Sequence, residues 1–294
     1  YHTMSHTLTS APLRSAKESI EDIVLRHSGR GMNILQHYLD AHYCRNAAQQ
    51  ILSLPKGTIL LTTGFYVAGH AETDGPLGTI ALAKALKQLG YTPVIITDLI
   101  CNGLFEPENL TVEYVSFEAD EKEYSVLLQK YAPVCLISIE RCGHNLENDY
   151  ANMRGISIAA QTASIDKMFE LALASSILTI GIGDGGNEIG MGNLKDVISE
   201  KLSLVPCTVS VNTLIIATTS NWGAYALVAY LALLTQSDLF PTYKTIADCL
   251  TRIVSMGCVD GVTKKPENSV DGFPSNVEQE IVEALLYVSS IGVA

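Results

Sequence analysis

The stretch Ile177-Leu178-Thr179-Ile180-Gly181-Ile182-Gly183-Asp184-Gly185-Gly186-Asn187-Glu188-Ile189-Gly190-Met191-Gly192 decides how this chain is read. Its first half, Ile177 to Ile182, is a short apolar run that reads as a buried strand. Its second half is a turn with six glycines between Gly181 and Gly192, residues that admit positive φ and close backbone approach. Beyond the carboxyl end of a parallel strand, such a turn lies where open α/β sheets bind their ligands. If the turn opens a helix, Asp184, Asn187 and Glu188 all point toward one crevice. The plainer reading is a strand-to-helix turn whose Asp is a cap, but a cap needs one acid and one glycine, not this density.

Working outward, the same strand–helix alternation repeats. Ile59 to Thr63, Val94 to Thr97, Val112 to Phe117, Val134 to Ile139 and Thr213 to Thr218 read as further strands. Between them, helices are expected at Pro76 to Leu89, Glu121 to Tyr131, Ser164 to Ser175 and Trp222 to Leu234, and a last one at Asn276 to Ser289. Pro76 suits a first helical position and Gly90 a helix end. Short continuous apolar strands alternating with helices predict an α/β fold: a doubly wound, largely parallel sheet with helices on both faces. Ser10 to about Gln50 has helical spacing broken at Gly29-Arg30-Gly31. Residues 1–50 are therefore expected as an amino-terminal helical segment packed on a catalytic α/β domain of residues 51–294. The long loop Val259 to Phe273 reads as functional.

Composition narrows the function. The chain has 294 residues, 47% hydrophobic and 17% charged, with a formal net charge of −12. That balance fits a well-buried globular protein and argues against nucleic-acid binding, which needs clustered Lys and Arg. Apolar stretches fall short of the ~20 residues of a membrane span, so no membrane partner is expected. Seven cysteines without metal-ligand spacing point to a reducing compartment, read here as cytoplasmic, or mitochondrial matrix for a piece of a eukaryotic parent. Tyr1-His2-Thr3 precedes Met4, the expected natural start. The apolar amino-terminal helices hint at a homodimer.

The predicted strand ends bring polar residues to one edge of the sheet: His70, Glu72 and Asp74; Asp98; Glu140, Arg141, His144, Asp149, Asn152 and Arg154; Asp184, Asn187 and Glu188; and, from the late loop, Asp260, Thr263 and Asp271. Converging carboxylates repel unless a cation lies among them, and hard oxygen ligands suit Mg²⁺, Mn²⁺ or Ca²⁺. Each residue also has a plainer reading: Asp74 as a cap of the helix at Pro76, Asp98 as a turn residue, Glu140 and Arg141 as an ion pair, and the histidines as hydrogen-bonding loop residues. A phosphate-binding GxxxxGK[ST] loop and a GxSxG nucleophile elbow are absent. The Gly183 to Glu188 turn resembles the acidic Mg²⁺ turn of haloacid-dehalogenase phosphatases, but Asp98-Leu99-Ile100-Cys101-Asn102 lacks the second Asp of their nucleophile motif.

Five stretches together resemble the D-glutamate cyclase carboxyl-terminal domain family: Thr63-Gly64-Phe65, Glu72-Thr73-Asp74-Gly75-Pro76, Glu140-Arg141-Cys142-Gly143, Tyr150-Ala151-Asn152-Met153-Arg154-Gly155, and the Gly183 to Gly192 turn. The resemblance runs from about Ile51 to the end. It implies a lyase that closes D-glutamate to 5-oxo-D-proline with loss of water, and archaeal relatives treated as metal-binding, phosphatase-like proteins. In the eukaryotic mitochondrial enzyme this domain follows a separate hydro-lyase-like domain, so the chain is expected to be a stand-alone relative or a piece of a longer protein. On this basis a divalent metal, Mg²⁺ or Mn²⁺, is expected on Asp184, Glu188 and Asp74. Glu72, Asp74 and Glu140 are the candidate catalytic acids and bases, and Arg141, Asn152, Arg154 and Asn187 the candidate substrate-binding residues. The competing expectations are a metal-dependent phosphohydrolase and a non-catalytic amino-acid-binding module.

Overall fold

A computed structural model describes residues 18–291. Six parallel strands form the sheet: β1 (Thr58–Thr63), β4 (Thr92–Thr97), β5 (Thr111–Tyr114), β6 (Cys135–Ile139), β7 (Leu178–Gly183) and β8 (Thr213–Ile216). A two-residue hairpin, β2 (Tyr66–Val67) with β3 (His70–Ala71), stands apart from it. The spatial order is β5-β4-β1-β6-β7-β8, with all five neighbouring pairs parallel. The chain thus winds outward from β1 in one direction and then, from β6, in the other. The crevice between the carboxyl ends of β1 and β6 is the switch point at which such sheets bind ligands. This is the doubly wound α/β fold that the alternating apolar runs predict.

Helices cover both faces. The amino-terminal part holds α1 (Ile20–Val24), α2 (Met32–Leu35) and α3 (Tyr43–Leu52). It is shorter and more broken than the sequence suggests: Gly31, at φ +94°, caps α2 in a left-handed conformation. The portion of that expected helix before residue 18, and the expected start at Met4, lie outside the described residues. After β3 come α4 (Pro76–Gln88), α5 (Glu121–Tyr131), α6 (Asp166–Ala174), α7 (Lys195–Lys201), α8 (Ser220–Thr235), α9 (Tyr243–Ser255) and α10 (Ser275–Ile291). No element is expected from the sequence at α9, although Ile246, Leu250 and Ile253 are its buried face and Thr242 caps it.

Two helices frame the crevice. α8 is buried from Ser220 to Ala232, as expected for a helix apolar all round. It crosses α4 closely, because a Cβ on Gly78 would fall 2.7 Å from the Ala224 Cβ. Their amino termini cap each other. Asn221 Oδ1 accepts the N–H groups of Gly75 (2.9 Å) and Gly78 (2.8 Å) at the start of α4. Asp74, just before α4, accepts the N–H groups of Ser220 (3.1 Å) and Asn221 (2.8 Å) at the start of α8. Both helix dipoles therefore direct their positive ends at the switch-point crevice.

Candidate active site

Four loops at the carboxyl edge of the sheet build the site. The loop after β1 is stitched to the late loop: Val259 donates to the Ala71 carbonyl (3.1 Å), Thr73 to the Val259 carbonyl (2.8 Å), and the Thr73 hydroxyl to the Ser269 carbonyl (2.7 Å). Glu72 and Asp74 are thereby fixed beside Asp271. The residue after β6, Glu140, takes φ +55°, a left-handed conformation that costs a non-glycine residue about 1 kcal/mol or more. Ala68, Lys264 and Asp271 share that conformation at φ 49°, 61° and 51°, and all four line the same cleft. Gly75 has to be glycine: at φ +117° its Cβ would also sit 2.5 Å from the Thr63 hydroxyl and 3.2 Å from the Glu140 Cβ.

The Gly183 to Gly192 turn behaves differently from the expectation. It does not open a helix directly; a 3-10 turn at Met191–Leu194 precedes α7. Its glycines admit the chain itself: a Cβ on Gly181 would meet the Ile189 carbonyl at 2.4 Å, and one on Gly192 the Thr208 carbonyl at 2.4 Å. The N–H groups of Asp184, Gly185 and Gly186 form an anion-binding nest, and the Glu188 carboxylate fills it, accepting at 2.8, 3.0 and 2.8 Å. Burial raises the Glu188 pKa. Hydrogen bonds from the Glu140 and Asp184 side chains and from the nest outweigh it, and the carboxylate is held below its ordinary value.

Six acidic side chains converge here. Ligand atoms lie within 4.8 Å of one another in three overlapping groups: Glu72, Asp74 and Glu140; Asp74, Asp184 and Asp271; and Glu140, Asp184 and Glu188. Burial, followed by the Glu188 charge, pushes Glu140 well above the carboxylate range. Burial and the charges of Asp271 and Asp74 do the same to Glu72. Burial raises Asp184 against the opposing pull of Arg30, and burial with the Asp74 charge lifts Asp271 to about 7. Glu140 Oε1 accepts from the Ser220 hydroxyl at 2.6 Å. Without a further cation, such a cluster keeps protons that carboxylates ordinarily lose.

Arg30 is the cation in this cluster. Its Nη2 lies 2.6 Å from Asp271 Oδ2 and 3.1 Å from Asp184 Oδ2, and Asp184 above all raises its pKa. The sequence pattern shows Gly29-Arg30-Gly31 only as a helix break. One charge does not balance six acids, and Glu72 Oε1 is buried without a hydrogen-bond partner. Hard carboxylate oxygens, tightly grouped with an orphan among them, fit a divalent ion. The buried carboxylate clusters can hold a metal ion.

A cleft of about 370 Å³ opens onto the cluster. Of the sequence-predicted residues, Glu72, Glu140, Asn152, Arg154, Asp184, Asn187 and Asp271 line it, joined by Arg30 and Lys264. Asp74 lies behind, as the cap of α8; its plainer reading as a cap holds, but for a different helix from the expected one. Asn187 donates to the Ala151 carbonyl at 3.0 Å, tying the turn to the cleft wall. Arg141 is placed elsewhere: 1% exposed, it pairs with Asp98 at 2.5 Å and donates to the carbonyls of Gly64 (3.2 Å) and Ala163 (2.8 Å). The ion pair at Arg141 is real, with Asp98 as its partner instead of Glu140. Asp260 receives four loop hydrogen bonds, and His144 bonds Asp166 at 2.7 Å; both fasten loops.

A family model described as D-glutamate cyclase-like, C-terminal, matches residues 20–286. The mitochondrial D-glutamate cyclase of Homo sapiens is 31% identical over 205 residues, a match covering 60% of this chain and 33% of that protein. The matched region is thus about a third of the relative's length. Among solved structures, a Brucella ovis UDP-glucose 4-epimerase in complex with NAD is 15% identical, covering 61% of this chain and 47% of its own at a TM-score of 0.28. The Bordetella bronchiseptica enzyme WbmG in complex with NAD and UDP is 11% identical, covering 69% and 61% at 0.30. Scores this low say nothing of ligand or chemistry.

Proposed function

The chain belongs to the D-glutamate cyclase-like C-terminal family, and from that premise we propose that it is a lyase closing D-glutamate to 5-oxo-D-proline at a divalent-metal site. The observation that carries this reading is the overloaded carboxylate cluster, with its unpartnered Glu72 oxygen, at the floor of the cleft.

The reaction forms a bond between the α-nitrogen and Cδ, the carbon of the γ-carboxyl group, and expels one oxygen of that group as water. It needs a neutral amine and two protons for the departing oxygen, which balance the two that the ammonium nitrogen gives up in becoming the lactam N–H. Asp74, Asp184 and Asp271 would hold the ion, and a divalent ion there would supply Lewis-acid polarisation of the γ-carboxyl group. Glu140 holds its proton because burial and neighbouring charge disfavour its ionised form, so it is the general acid for the departing oxygen. Burial and the charges of Asp271 and Asp74 also favour the protonated form of Glu72; with a cation's charge offsetting them it would ionise, and its free oxygen would take the ammonium proton. Arg154 and Asn152 at the mouth, with Lys264 opposite, receive the α-carboxylate. The reaction is intramolecular, so holding the chain in its folded-back conformation supplies much of the rate.

The filled nest favours this reading over phosphate-ester hydrolysis. The three backbone amides that would grip a phosphate are already taken by Glu188, which braces Asp184 in place of ligating. The test is incubation of metal-free protein with D- or L-glutamate, with and without Mn²⁺ or Mg²⁺, followed by chiral chromatography. Metal-dependent 5-oxoproline from the D isomer is the expected result. Turnover of an aryl phosphate in its place would overturn the reading, as would ligand-induced stabilisation without product.

A further inference from the structure

Arg30 reaches the acid cluster from outside it. It belongs to the connection Ser28-Gly29-Arg30-Gly31 between α1 and α2. The connection is open on one side and anchored on the other: a Cβ on Gly29 would meet nothing within 4 Å, whereas Gly31, at φ +94°, packs against Leu202, whose Cδ2 a Cβ would meet at 2.3 Å. All the contacts the guanidinium makes there run through one nitrogen, Nη2, to Asp271, Asp184 and, at 3.4 Å, the Thr218 carbonyl. The side chain remains 32% exposed. It also separates two spaces. On one side is the cleft; on the other is a hollow of about 210 Å³ walled by His27, Thr218 and Phe273, and Asp184 and Asp271 belong to both.

We propose that Arg30 is a displaceable counter-cation, which occupies the Asp184–Asp271 edge of the metal site and leaves it when a divalent ion is loaded. The released guanidinium then turns into the cleft and binds the substrate's α-carboxylate alongside Arg154. This rests on the metal-site reading above. The physical case is one of competition. An ion with two charges approaches carboxylate oxygens at about 2.0–2.6 Å, nearer than the 2.6 and 3.1 Å of Nη2. A guanidinium left on the same Oδ2 atoms would face it with like charge. The orphaned Glu72 oxygen is the independent sign that Arg30 does not complete the site. A planar fork flanked by glycines is also well suited to a carboxylate once free.

The experiment uses the full chain, freed of metal, in two measurements. Calorimetric titration with Mn²⁺, without substrate, compares the wild type with Arg30→Gln. One ion should bind to each, tighter in the variant by about tenfold or more, because its competitor is gone. In the second, phenylglyoxal labels arginines of the wild type, and peptide mass spectrometry follows Arg30. Saturating Mn²⁺ should speed its modification severalfold, a readout that needs no variant to fold. Equal or weaker Mn²⁺ binding by Arg30→Gln overturns the inference, as does Arg30 labelling indifferent to Mn²⁺, while the metal site itself stands. Binding by neither protein removes the metal site and this inference together.

Discussion

Two arginine–carboxylate pairs lie at the carboxyl edge of the same sheet, and they differ in charge balance. Around Arg141, one guanidinium meets one carboxylate: Asp98 takes the Arg141 Nη2 and the N–H groups of Ile100 and Ala163, while Arg141 also donates to two carbonyls and leaves its Nε unpartnered. Around Arg30, one guanidinium faces six acids, two of which it touches. Glu278 adds a third solution, a buried carboxyl that accepts from the Trp222 indole at 2.7 Å and is lifted to about 8, mainly by burial. A buried acid can be balanced by an arginine, by its own proton or by a metal ion. Only the overloaded cluster leaves the third choice open. Residue type does not separate a structural pair from a working site; the local sum of charges does.

The largest effects that test this contrast belong to the cluster. Glu140→Gln keeps the shape of the side chain but removes its acidic proton, so kcat should fall by roughly 10²–10⁴ with Mn²⁺ still bound. Asp184→Asn should lose the ion as well as turnover while the far-ultraviolet circular dichroism is unchanged. If either variant turned D-glutamate over at the wild-type rate, the cluster would have to be read as structural. Arg141→Ala should act on stability instead, costing about 3–5 kcal/mol in denaturant unfolding because Asp98 is stranded without its partner. A folded Arg141→Ala protein of normal stability and no activity would erase the distinction.

The proton-balanced case has a sign. The folded pKa of Glu278 is raised above its unfolded value, so the folded state binds the extra proton between about pH 4.5 and 8. Stability conferred by that proton is present below this window and is lost as pH rises through it, by at most about 1.4 kcal/mol per pH unit. Glu278→Gln should flatten that part of the Tm–pH profile. The smallest effect is expected at the exposed mouth, where Lys264→Ala should raise KM by a few-fold, roughly 1 kcal/mol or less, with kcat nearly unchanged.

The sheet is legible in the sequence because each strand is a short apolar run: Leu178–Gly183 and Cys135–Ile139 lie within one residue of their expected bounds. Helix α9 carries a readable stripe and cap, Ile246, Leu250 and Ile253 after Thr242, yet no element is expected there from the strand–helix alternation. Most of the acids are legible as strand-end residues. Arg30 is not, since its partner Asp271 is 241 residues away along the chain and no local pattern reports so distant a contact. The roles of Asp74 and Arg141 are undecidable from sequence for the same reason: their partners, Ser220, Asn221 and Asp98, come from other strands and helices.

The Glu188 carboxylate, seated in the amides of residues 184–186, has a consequence for the timing of catalysis. Many glycine-rich loops are pliant until an anion arrives, and the ligand's binding energy is spent on ordering them. Here the anion is covalently part of the loop, so the conformational entropy is lost once, at folding. Asp184 is preorganised before any substrate enters. On the proposed reaction, such a loop would present the same floor to each substrate molecule, with no reordering step between product release and the next encounter.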